Sequence, residues 1–133
     1  MSGIELGIKG TRMITVTEDV TARHLGSGGV KVFATPAMIL LMEGAAVNAI
    51  DALLPEGQAS VGIEVSVKHL AATPIGFQVR AEAEVISVEG RKVLFKVTAW
   101  DDQELIGEGT HTRFVIDKAR YFARIEEKQQ KRP

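Results

Sequence analysis

The chain contains no cysteine among its 133 residues. Disulfides, thiolate zinc sites, iron–sulfur clusters and a cysteine nucleophile are excluded together. An excess of charge of either sign is also missing. Sixteen Lys and Arg face seventeen Asp and Glu, a formal net charge of −1, which speaks against a nucleic-acid binder with its basic face. Long apolar runs are absent too: the most apolar stretch, Val32 to Met42, is stopped by Glu43, short of the ~20 residues of a membrane span. The first ten residues lack the basic-then-apolar order of a signal peptide. These absences lead us to expect a soluble, cytoplasmic protein that engages neither membrane nor nucleic acid. Phosphate-binding loops, dinucleotide fingerprints and serine-hydrolase elbows are missing. His24, His69 and His111 lack metal-site spacing, so no metal is expected.

What is present fits a single domain over residues 1–133, without repeat or linker. Charge is uneven along it. Residues 117–133 carry six basic and three acidic side chains, +3 on this segment against −4 on the rest, which reads as a solvated C-terminal helix or tail. Upstream, the pattern predicts a strand at Arg12–Thr17. A loop at Thr21–Lys31 follows, flexible around Gly26-Ser27-Gly28-Gly29 and able to close over a site. A helix follows at Thr35–Leu54, with Thr35 as its cap, Pro36 at its first helical position and Pro55-Glu56-Gly57 as its stop. Four strands then alternate with period two: Val61–His69, Phe77–Val85, one containing Val93, Phe95, Val97 and Ala99, and Leu105–Ile116. In the first of these Val61, Ile63, Val65, Val67 and His69 share one face.

The helix decides the architecture. Pro36 through Met42 is apolar on every side, and a helix without a wet face has to be buried on most of its surface. One long helix wrapped by a curved antiparallel sheet meets that need: an α+β domain of the hotdog arrangement.

Three residues stand out chemically. Glu43 has Ile39, Leu40, Ala46 and Val47 as its helical neighbours; an ionised carboxylate on such a stripe needs a partner or a raised pKa. His69 points inward by strand parity. A carboxylate and an imidazole sharing an apolar cleft can activate water or polarise a carbonyl. Thr35 opens the helix, whose free N–H groups favour developing negative charge. Eight residues separate Thr35 from Glu43, about 12 Å of helix, so histidine, substrate or a second subunit has to bridge them.

Several stretches are, in order, similar to one family. They are Thr15-Val16-Thr17, His24 through Gly29, Ala34-Thr35-Pro36-Ala37, Leu41-Met42-Glu43, Val67 through Leu70, Thr73 through Gly76, and Gly107 through Arg113. The chain resembles the fluoroacetyl-CoA thioesterase-like family of hotdog acyl-CoA thioesterases. The resemblance implies Thr35, Glu43 and His69 as catalytic residues, with Gly76 and Arg113 near the substrate. It also implies a homodimer joined sheet edge to sheet edge with sites at the interface; whether dimers pair further stays open. The aromatic residues that gate the fluoroacetyl specialist's site have no counterpart in Gly28-Gly29-Val30-Lys31.

The expected function is hydrolysis of a small acyl-CoA to the free acid and coenzyme A, without a cofactor beyond the coenzyme A of the substrate. Glu43 would act as general base or as nucleophile, His69 would hold or protonate the reacting groups, and Thr35 would polarise the carbonyl. Arg113 suits a carboxylate or phosphate better than chemistry. A non-catalytic acyl-CoA-binding protein and an enoyl-CoA hydratase or dehydratase on the same fold are the alternatives.

Overall fold

A computed structural model describes residues 3–133. Its five strands are β1 (Lys9–Thr15), β2 (Gln58–His69), β3 (Gln78–Glu89), β4 (Lys92–Trp100) and β5 (Leu105–Asp117). They form one antiparallel sheet in the order β1-β3-β4-β5-β2. Before the long helix α2 (Thr35–Ile50) come a 3₁₀ turn at Glu18–Val20 and a short helix α1 (Ala22–Leu25). The predicted loop therefore holds one helical turn, closed by Gly26 in the left-handed region at φ 75°. Helix α3 (Lys118–Gln130) ends the chain, capped by the Asp117 carboxylate, which accepts from the N–H groups of Ala119 and Arg120.

The sheet curls around α2, the hotdog architecture. Val79, Ala81, Ala83 and Val85 of β3 and Val93, Phe95, Val97 and Ala99 of β4 are buried, as the period-two pattern requires. They pack on Met38, Leu41, Met42, Ala45, Ala46, Ala49 and Ile50 of α2. Together with the 3₁₀ turn after it, the helical stretch Thr35–Leu53 has the length and hydropathy of a membrane span, and half of it is buried inside the protein. Its apolar character follows from the sheet it lies against. Leu40, on its outer side, stays exposed. The closest approach is at Gly10 of β1, where an added Cβ would stand 2.2 Å from the Ala45 carbonyl oxygen and 2.4 Å from the Ala49 nitrogen. Strand and helix touch there backbone to backbone.

Two local expectations change. The first strand begins at Lys9 and ends at Thr15 rather than spanning 12–17. The alternation of β2 is interrupted by a bulge: Gly62 pairs with Arg113 and Glu64 with Thr112, which leaves Ile63 as the extra residue. Ser60 and Gly62 before the bulge therefore share a face with Val65, Val67 and His69 after it, while Ile63 is exposed. Strand β2 is also an edge of the sheet, with β5 its only strand neighbour among the described residues.

Candidate active site

The start of α2 differs from the sequence reading in a useful way. Ala34 is the N-cap and Thr35 the first helical residue; no side chain caps the helix. The Thr35 hydroxyl is thus released from capping. It lies 2.7 Å from Nδ1 of His69, at the end of β2. Burial pushes the His69 imidazole below its ordinary pKa, so it is neutral near pH 7. Its Nε2 is the one buried side-chain polar atom without a partner among the described residues. Thr35 and His69 line a groove of about 320 Å³ with Ala22, Ser27, Phe33 and Leu70. The loop at 21–31 forms part of that wall.

Glu43 occupies a second cluster, two turns along the helix. Its Oε2 lies 3.8 Å from Nη1 of Arg113, and its side chain is 39% exposed. The sequence reading put it on a dry apolar stripe beside His69. The structure gives it a half-wet position beside Arg113. The histidine next to it is His111: an added Cβ on Gly62 would meet Glu43 Oε2 at 2.8 Å and His111 Cε1 at 3.1 Å, so all three crowd one point. His69 and Thr35 sit about 12 Å along α2 from Glu43, at ~1.5 Å per residue over eight residues. The expected triad is therefore two parts within one chain.

Sequence reasoning missed His111, Ser60, Asp51 and Gly62. Arg113 and His111 are both buried, and both stand on the inward face of β5 with Val115. That parity was available: two polar residues at alternate positions of a strand, between Gly109 and Val115 on the same face. Ser60 was hidden by the bulge, which reverses parity before it. Gly76, by contrast, belongs to neither cluster. It is a turn residue at φ 96° whose N–H donates to the Val16 carbonyl at 2.9 Å.

A threonine–imidazole pair at a helix start and a carboxylate beside a buried guanidinium are parts suited to acyl transfer. Comparisons with known proteins point the same way. The profile of the fluoroacetyl-CoA-specific thioesterase family matches residues 16–119. A fluoroacetyl-CoA thioesterase from Streptantibioticus cattleyicolor is 39% identical over 132 residues, 95% of each chain. A solved fluoroacetyl-CoA thioesterase superposes with a TM-score of 0.88 at 38% identity, covering 99% of this chain and 100% of that one. A Thermus thermophilus thioesterase superfamily member also reaches 0.88, at 31% identity and with the same coverage. With a matching profile across most of its length and relatives this similar from end to end, the chain belongs to the fluoroacetyl-CoA-specific thioesterase family.

Proposed function

We propose that this thioester hydrolase cleaves small acyl-CoA thioesters, with Thr35, His69 and Glu43 as its reactive groups. The observation that carries the reading is the Thr35–His69 pair: a hydroxyl 2.7 Å from a neutral imidazole at the mouth of a groove of about 320 Å³. The thioester carbonyl lies against Thr35 and the first N–H groups of α2, which favour the negative charge that builds on its oxygen. His69 passes a proton between the reacting groups. Glu43 supplies the base or nucleophile, and Arg113, 3.8 Å from its Oε2, keeps it aimed. No cofactor is required for these steps.

The 12 Å between the two clusters supports a homodimer. Strand β2 has an open edge, with exposed Ile63 and Val65. Pairing two copies antiparallel through this edge would lay the C-terminal end of one β2 beside the N-terminal end of the other. Each Thr35–His69 pair then approaches the other chain's Glu43. The dimer also covers backbone groups that an edge of this length leaves open. Soluble, cytoplasmic working conditions match a substrate of this kind.

The acyl group is read from the loop. Gly28 and Gly29 place no side chain over the groove, which favours a wider choice of short acyl chains than a gated site accepts. Release of free thiol from a panel of short, branched and aromatic acyl-CoAs tests the proposal, with Glu43→Gln and His69→Ala as controls. Both variants are expected to lose at least ~10²-fold in kcat. Undiminished turnover in both, or ligand-induced stabilisation with no thiol released by the parent protein, overturns it.

A further inference from the structure

We infer that Asp51, Ser60 and His111 are positioning residues that hold the Arg113 guanidinium against Glu43. This rests on the proposed role of Glu43 in thioester cleavage. Arg113 is buried, and all three of its nitrogens have a hydrogen-bond partner. Nε donates to Ser60 Oγ at 2.7 Å and Nη2 to the Ser60 carbonyl at 2.9 Å. Nη1 stands 3.1 Å from His111 Nε2 and 3.8 Å from Glu43 Oε2.

The direction of every hydrogen bond in this set is fixed from its two ends. At one end the Asp51 carboxylate can only accept, so the Ser60 hydroxyl donates to it, at 2.6 Å. The Ser60 oxygen is then left to accept from Arg113. At the other end the Glu64 carbonyl can only accept, so His111 Nδ1 carries the proton across 2.8 Å. Its Nε2 must then be bare and accepts from Arg113 Nη1. A protonated His111 would turn a donor toward a donor. Burial and the charge of Arg113 both keep the ring neutral, against the pull of the Glu64 carbonyl and Glu43. His111 is also clamped by Phe95, whose ring lies 6.2 Å away at 26°.

The charge arrangement separates positioning from plain structural pairing. A buried guanidinium wants a direct carboxylate partner. Burial pushes the Arg113 pKa down and the nearby Asp51 charge opposes that, yet Ser60 is interposed between them. Arg113 is thereby tethered at its Nε edge by a neutral group, while its Nη1 edge keeps a free direction toward Glu43. The gap of 3.8 Å is too long for a hydrogen bond and short enough for a strong field. An arginine serving the fold alone would close on Asp51 directly.

The test is a set of double-mutant cycles read as kcat and KM for thiol release from the best acyl-CoA of the panel. Ser60→Ala, His111→Phe and His111→Gln are made alone and with Arg113→Met. Alone, Ser60→Ala is expected to lower kcat about 10-fold and His111→Phe about 10²-fold, with KM moving less than ~3-fold. His111→Gln, whose amide oxygen can still accept from Nη1, should recover most of the His111→Phe loss. In the Arg113→Met background none of them should lower kcat by more than ~2-fold further, because their effect runs through the missing guanidinium. Equal fold-losses in both backgrounds overturn the inference, as does wild-type kcat in Ser60→Ala. Ser60→Ala decides the question alone if His111→Phe does not fold. Glu43→Gln measured alongside keeps the readings apart: full turnover there removes the proposed function, whereas additive losses beside an inactive Glu43→Gln remove only the positioning role.

Discussion

Replacing Gly62 by alanine should disable the enzyme while leaving it folded. The new Cβ would sit 2.8 Å from Glu43 Oε2, 3.1 Å from His111 Cε1 and 3.4 Å from Arg113 Nη1. Ordinary contacts of this kind lie at about 3.5 Å. His111 and Arg113 are buried and hydrogen-bonded, so they have little room to retreat. Glu43 is half in solvent and gives way, by at least about half an ångström. A reacting group displaced by ~1 Å costs on the order of 10² in rate, or ~3 kcal/mol of transition-state stabilisation. The strain left in the buried pair adds a loss of about 1 kcal/mol in stability, some 2–6 °C in Tm for a chain of this size. Thiol release and thermal melts on the same preparation separate the two effects. Gly29→Ala is the control, since an added Cβ there meets nothing within 4 Å. A Gly62→Ala protein that turns over at the parent rate refutes the reasoning, because the crowding at that point would then have no hold on the carboxylate.

Thr35→Val keeps the shape of the side chain and removes the partner of His69 Nδ1; kcat should fall ~10- to 10²-fold and Thr35→Ser should restore most of it. Since Thr35 is not the helix cap, Tm should stay close to the parent value in both, and a large drop would return it to a structural role. Stability should decline in mild acid. The His69 and His111 imidazoles are held below 6.5 by burial, so the unfolded chain takes up protons first as pH falls through 6.5. Urea midpoints at pH 7.5 and 5.0 check this: the acid value should be lower, and a midpoint that stays level or rises contradicts it. Finally, none of the residues of α3 is buried. A chain ending at Asp117 should keep its turnover and melt within ~4 °C of the parent; loss of activity would tie that basic helix to the reaction.

The sequence made the helix and strands β3, β4 and β5 legible because their burial is one-sided and regular. A strand with Val79, Ala81, Ala83 and Val85 on one face states its orientation outright. Thr35, Glu43 and His69 were legible as residue types in unexpected places. Their grouping was not. Periodicity says which way a side chain points along one element, whereas the pairing of His69 with Thr35 depends on where β2 ends relative to the start of α2. The bulge at Ile63 is the clearest case: a single extra residue reversed the face of Ser60 and concealed the network on Arg113. The threonine at the helix start misled for a related reason. A hydroxyl there usually serves its own backbone, and a histidine brought in from another strand took it instead.

The contact at Gly10 limits how this molecule can change. With the helix backbone 2.2 Å from where a side-chain carbon on Gly10 would have to go, α2 has no slack on its β1 side. It can neither slide nor tilt to enlarge the binding space without breaking the sheet's outer strand away. Adaptation to a bulkier or smaller acyl chain must therefore arise on the opposite wall, in the glycine-rich stretch between α1 and α2. Thr35 stays still while the boundary facing it is rewritten.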